Sequence, residues 1–202
     1  MQLTEALLCT LGFLLIGCDG ERVKAFVYSG IPGVVELMEY PVPQPLLHEV
    51  LIKVDVCWVC RTDLHVIDGE LEHPALPVIP GHQIVGQVVA TGAEVNMRQV
   101  GERLVVTWLS RCCGTCSFCL SGRENLCDGA VFTGYTHDGG FAEYVVVDES
   151  YTVPIPEMFT SLGAAPLLCA GLIGYRAYRM TGEPKTLGIY GLGSAVINVQ
   201  PD

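Results

Sequence analysis

Cys113, Cys116, Cys119 and Cys127 place four thiols within fifteen residues of a 202-residue chain. Sulfurs at three-residue steps pair poorly with one another but converge readily on one ion. A tetrahedral set of thiolates is what Zn²⁺ takes when its role is structural. Gly114 and Gly122 supply the tight turns that such a cage needs. Two rival readings are weaker. A ferredoxin-type run places its fourth Cys after three residues and follows it with Pro, whereas here the gap is seven and Asp128 follows. A disulfide framework requires an oxidising compartment. The segment is therefore expected to be a zinc-clamped loop, with Cys112 either a bystander or a substitute for Cys113.

A closed thiolate cage performs no chemistry. A catalytic zinc keeps three protein ligands and one open position, usually drawn from distant parts of the chain. Cys60-Arg61-Thr62-Asp63-Leu64-His65 follows the alternating run Val50–Val56, and Pro80-Gly81-His82-Gln83 precedes a second run, Ile84–Ala90. Strand ends are stiff supports for metal ligands. On spacing alone, however, a buried Cys and a hydrogen-bonded loop His explain these residues at least as well.

Further alternating runs occupy Lys24–Ser29, Arg103–Trp108 and Phe141–Val147, separated by Pro and Gly, as in a small β-barrel with inserted loops. Pro41-Val-Pro-Gln-Pro45 is a stiff connector. Residues 160–180 carry helical spacing (Leu162, Ala165, Leu168, Cys169, Leu172) that turns Cys169 towards the barrel. Thr186–Tyr190 reads as a short buried strand running into Gly191-Leu192-Gly193-Ser194, the start of a dinucleotide-binding βα turn.

Several motifs keep their order and spacing: Cys-Arg-Thr-Asp-Leu-His at 60–65, Gly-His-Gln-Ile-Val-Gly at 81–86 and Gly101-Glu102-Arg103. The four-Cys loop, Gly-Gly-Phe-Ala-Glu-Tyr at 139–144 and Leu-Leu-Cys-Ala-Gly at 167–171 continue the series. Over residues 23–195 the chain resembles zinc-dependent alcohol dehydrogenases of the medium-chain dehydrogenase/reductase superfamily. The resemblance implies a mainly β fold with some α: a GroES-like, partly open barrel over 23–180, with a C-terminal helix. Residues 181–202 are then the first βα turn of a Rossmann domain. It makes Cys60, His82 and Cys169 the ligands of a catalytic zinc, and Cys113, Cys116, Cys119 and Cys127 those of a structural zinc. Thr62 is implied to touch the substrate alcohol, His65 to pass its proton to solvent, and Asp63 to orient the zinc histidine. Trp108 falls at an aromatic wall of the substrate pocket, although a core role explains it equally well. Gly191, Gly193 and Ser194 are implied to meet NAD or NADP. A small alcohol or aldehyde is the implied substrate, and family members are homo-oligomers. A polyol dehydrogenase, a quinone reductase and a non-catalytic zinc-binding fragment are the alternatives.

Three departures accompany the resemblance. Gln83 stands where the family carries Glu, from which slower metal exchange is expected; a tolerated surface amide is the plain alternative. Val196 occupies the sixth position of the glycine turn, where Gly or Ala is usual. The chain stops at Asp202, before any acidic ribose partner, so the cofactor lobe is expected to be cut off and turnover by this chain alone to be slight. Residues 1–22 form an extension whose apolar run, Ala6–Cys18, is too short for a membrane span. It is signal-like, and Leu15-Ile16-Gly17-Cys18 resembles a lipoprotein cleavage box. Residues 1–5 nevertheless hold no Lys or Arg, which favours an upstream mis-start or a casual extension over membrane anchoring. A net charge of −11 argues against nucleic acid or an anionic membrane as partner, and so against a DNA-binding zinc ribbon. Ten cysteines at metal spacing point to the reducing cytoplasm.

Overall fold

The computed structural model describes residues 21–182, 184–191 and 193–197. In chain order the elements begin with β1 (Arg22–Val27), β2 (Glu36–Pro41), β3 (Glu49–Trp58), α1 (Arg61–Ile67) and β4 (Gln83–Thr91). They continue with β5 (Arg103–Val106), β6 (Leu109–Arg111), α2 (Ser117–Leu120), β7 (Val131–Phe132), β8 (Tyr144–Asp148) and β9 (Thr152–Pro154). Three helices close the series: α3 (Ser161–Ala164), α4 (Ala170–Met180) and α5 (Ser194–Ile197).

Five strands form one antiparallel sheet in the order β8-β3-β4-β5-β9, and β1–β2 and β6–β7 are separate hairpins. The inward faces of the large sheet supply Val50, Ile52, Ile84, Val88, Leu104, Val106, Val145 and Val147, all at most 2 % exposed. β-Branched side chains dominate this set, as a pleated surface prefers. Burying each contributes roughly 1.5–3 kcal/mol. The sheet does not close. Instead β1 reaches the segment ahead of β8: the Phe26 amide donates to Phe141 O at 2.8 Å, and Ala25 bridges Ala142. Val23, Ala25 and Val27 alternate inward on β1, and Ala25 and Val27 pack on Ile79. The expected mainly β, partly open architecture is therefore present, as open sheets wrapped around one face.

Each alternating run from the sequence coincides with a strand, although β2, β6, β7 and β9 lack a clear apolar alternation. All six residues of β2 are at least partly exposed, so no pattern marks it. Two expectations need correction. The helical stretch 160–180 is broken: α3 passes into a 3₁₀ turn, Ala165–Leu168, and α4 starts only after Cys169. Pro166, in the first turn of that 3₁₀ segment, has no N–H to continue a helical ladder. Thr186–Tyr190 forms no strand, because no described residue pairs with it; Tyr190 is fully exposed and Leu187 and Ile189 are each about 40 % exposed. A parallel strand draws its hydrogen bonds from neighbouring strands. The Ala6–Cys18 run and Asp202 lie outside the described residues. Among the described residues no helix is long and apolar enough to cross a membrane.

Candidate metal centres

Three elements meet at the first centre. Cys60 precedes α1, where its amide donates to Asp63 Oδ2 at 2.7 Å and so fixes the first turn. His82 immediately precedes β4. Gly81 before it has φ +98°, and a Cβ there would stand 2.5 Å from Phe141 Cδ1 and 2.8 Å from Cys57 Sγ. Residues 139–141 lie flat against this turn: the Gly140 amide donates to Gly81 O at 2.8 Å and the Phe141 amide to Pro80 O at 2.9 Å. A Cβ on Gly139 would sit 2.1 Å from Gly81 O, which is why two glycines stand together there. Cys169 sits at the break between the 3₁₀ turn and α4. Ala164 and Ala165 anchor that turn on Val85 and Val105 of the sheet, below the cysteine.

The donor atoms of Cys60, His82 and Cys169 all lie within 4.8 Å of one another, and the two sulfurs are 3.7 Å apart. Thiolates 2.3 Å from a tetrahedral zinc are separated by about 3.8 Å, so the edge fits. His82 and Asp63 are each 1 % exposed, and His82 Nδ1 donates to Asp63 Oδ1 at 2.8 Å. That bond leaves Nε2 as the ring's ligand nitrogen. The His82 hydrogen bond lowers the Cys60 thiol to about 7 against a smaller opposing effect of burial. Burial opposes charge on His82, but hydrogen bonds to Asp63, Cys169 and Cys60 outweigh it and push the imidazolium up to about 11. The arrangement thus stabilises positive charge where the three donors meet.

Thr62 Oγ1 lies 3.8 Å from Cys60 Sγ, at the edge of this group. His65, one helical turn on, is engaged elsewhere: its Nδ1 contacts Glu70 Oε2, and Arg61 stands 4.0 Å from the same carboxylate. Sequence reasoning missed Glu70; the His65 amide oxygen that accepts from the Glu70 N–H belongs to the helix end, which spacing alone does not reveal. Trp108 is half-buried, with its ring edge-on to His82 at 5.0 Å and stacked on Phe132 and Tyr135. Gln83 is 1 % exposed, which rules out a surface amide. Its Nε2 donates to Trp58 O at 3.3 Å, and its Oε1 is buried without a partner.

The second centre is local. Cys113, Cys116, Cys119 and Cys127 also bring their sulfurs within 4.8 Å. Cys119 Sγ is 3.5 Å from Cys116 Sγ and 3.9 Å from Cys113 Sγ, again bracketing a tetrahedral edge. Backbone N–H groups point at the sulfurs: the Cys116 amide donates to Cys113 Sγ at 3.3 Å and the Cys119 amide to Cys116 Sγ at 3.5 Å. Amides of Thr115 and Cys116 hold the Cys113 thiol down to about 6. Such donors stabilise thiolates. Gly191, Gly193 and Ser194 fall apart from both groups in kind: Gly191 has φ +93°, and Ser194 opens the four-residue α5.

The alcohol dehydrogenase GroES-like domain model matches residues 47–157, more than half of the chain. This chain belongs to that family. An alcohol dehydrogenase of Geobacillus stearothermophilus is 39 % identical over 174 residues, which are 85 % of this chain and 51 % of that protein. Among solved structures, a cinnamyl alcohol dehydrogenase from Sorghum bicolor superposes with a TM-score of 0.77 at 34 % identity, covering 87 % of this chain and 53 % of the other. A thermostable alcohol dehydrogenase from Pyrobaculum aerophilum with bound cobalt and zinc gives a TM-score of 0.72 at 32 % identity, covering 79 % and 49 %. The chain spans about half the length of the relatives it matches.

Proposed function

We propose that this chain is the metal-binding lobe of a zinc-dependent alcohol dehydrogenase. The reaction converts primary or secondary alcohols to aldehydes or ketones with NAD or NADP. The convergence of Cys60, His82 and Cys169 carries the reading, because two thiolates and one neutral imidazole form a three-ligand zinc set with room for a fourth partner. Zinc held there supplies the Lewis acidity that favours loss of the alcohol proton, and a nicotinamide supplies the hydride acceptor.

The chain's own residues do the rest. Asp63 fixes the His82 ring through Nδ1. The Thr62 hydroxyl accepts the alcohol proton and passes on its own, since one O–H both donates and accepts. His65 takes the proton towards solvent at Nε2, with its Nδ1 held by Glu70. Trp108 walls the substrate side beside His82. Residues 23–180 form this lobe, and 181–202 begin the nucleotide-binding part, with Gly191, Gly193 and Ser194 at its phosphate turn. The setting is the cytoplasm, and assembly with further copies is expected.

Metal analysis together with NAD(H) titration tests the proposal. Two zinc ions per chain are expected, falling to one in Cys169→Ala. An unchanged metal content in that variant overturns the catalytic-centre assignment.

A further inference from the structure

Helix α1 ends in a turn that sets two side chains together. Past its cap, Asp68, the Gly69 amide donates to Val66 O at 3.1 Å and the Glu70 amide to His65 O at 2.9 Å. Gly69, at φ +72°, takes the left-handed conformation that this pair of bonds requires. Such an ending places the side chain of the second residue past the cap beside that of the third residue before it. Here both are polar. His65 Nδ1 contacts Glu70 Oε2, and Arg61 Nη2 stands 4.0 Å from the other oxygen, Oε1. The His65 and Glu70 side chains are 36 % and 50 % exposed, so their pairing stabilises the fold little. Its consequence is chemical.

We infer that Glu70 is a positioning residue for proton transfer, locking His65 in the tautomer that carries its proton on Nδ1. A neutral imidazole has one N–H and one bare nitrogen, and the hydrogen bond at one nitrogen decides which is which. A histidine side chain free in water favours the proton on Nε2, which would close the nitrogen that has to accept the substrate proton. A carboxylate only accepts, so Glu70 Oε2 draws the proton to Nδ1 and leaves Nε2 bare. Arg61 beside Oε1 leaves Oε2 to the ring. Asp63, on the same helix, treats His82 in the same way, accepting from Nδ1 at 2.8 Å and freeing Nε2 for the metal. When a proton arrives at His65 Nε2, the Nδ1–H is already paired and no bond has to be rearranged. This role rests on the proposed reading of His65 as the proton carrier.

Long-range ¹H–¹⁵N correlation on the full chain with ¹⁵N-labelled histidine tests it, at pH 9, where an ordinary imidazole is neutral. The His65 signals are assigned by their loss in His65→Gln. The native ring should be mostly protonated at Nδ1. In Glu70→Ala the ratio of the Nδ1–H to the Nε2–H form should fall about 10-fold, the scale of a hydrogen bond to a charged acceptor discounted for exposure. Glu70→Gln should keep the Nδ1–H majority, because its amide oxygen still accepts. A native ring protonated mainly at Nε2 overturns the inference, as does an unchanged ratio in Glu70→Ala or a Gln variant that matches Ala. Zinc content of the same samples reads the functional proposal separately: a chain that holds no zinc at the three-ligand centre refutes that proposal, whereas the tautomer ratio alone decides the role of Glu70.

Discussion

Replacing Asp63 by Asn keeps the shape of a polar pair whose two side chains are each only 1 % exposed and removes its charge. The two carboxylate oxygens do different work. Oδ1 accepts from His82 Nδ1 at 2.8 Å, and Oδ2 accepts from the Cys60 amide at 2.7 Å. An amide can satisfy only one of these donors; its NH₂ must face the other. One ligand, His82, or the backbone of the other, Cys60, is then left with an unmatched buried N–H. Hydrogen bonds to charged groups contribute about 1.5–3 kcal/mol, and partners of metal-bound histidines typically change affinity 10- to 100-fold. At 1.36 kcal/mol per decade the second figure is about 1.4–2.7 kcal/mol, so the two routes agree. Competition with a chromogenic zinc chelator on the purified chain reads the effect. Asp63→Asn should lose one zinc class at 10- to 100-fold lower chelator strength and leave the four-thiol class unchanged. Affinity within twofold of the native chain refutes the reasoning, as does an equal loss at both sites.

Gln83→Glu buries a carboxylate where an unpartnered amide oxygen now sits, so the metal-free chain should lose about 1–3 kcal/mol in urea unfolding. Zinc exchange at the three-ligand centre should quicken in the same variant, read with isotopically labelled zinc. Gly86→Ala places a Cβ 2.3 Å from Lys53 O, beside the register slip between β3 and β4; a destabilisation of about 1–3 kcal/mol is expected by thermal unfolding. Burial, with the Asp63 charge adding to it, raises the Cys57 thiol to about 12. It should therefore stay unalkylated at pH 8 under conditions that modify Cys113, with mass spectrometry as the check, and react only as the pH approaches that value.

The strands around the centre could be read because their apolar alternation is the same property that buries them. Val50, Ile52, Ile84 and Val88 announce one face by period two, and that face is the core. β2 could not be read, since its residues are exposed and its place is set by β1 through the ladder from Arg22–Pro41 to Val27–Glu36. The candidate ligands stand out by motif order, not by physics: spacing between Cys60 and His82 leaves a bland reading open. It is tertiary packing that brings their donor atoms together, through Ala164 and Ala165 on the sheet and the glycines around Gly81. Glu70 and the orphaned Gln83 oxygen were out of reach for the same reason, because each is defined by what lies beside it in space. The strand at 186–190 failed on the opposite ground. Its apolar sequence states a preference, and a preference without hydrogen-bonding neighbours makes no sheet.

The two metal groups differ in what their formation demands of the chain. Cys113 and Cys127 are 14 residues apart, whereas Cys60 and Cys169 are 109 apart. Loop-closure entropy grows as the logarithm of length, so gathering the distant pair costs about 2 kcal/mol more than closing the short loop. That extra cost is met only by the assembled sheet: β3 ends at Trp58, two residues before Cys60, β4 begins after His82, and the turn bearing Cys169 rests on β4 and β5. The four-thiol loop needs none of these strands to bring its sulfurs together. It meets the sheet region at Tyr151, whose hydroxyl holds Cys112. With an ion bound as proposed, such a loop, tied at one phenol to a core that folds by apolar burial, would keep its metal while the three-ligand centre opens. The centre that needs a vacant coordination position is thus the one whose geometry depends on the whole fold.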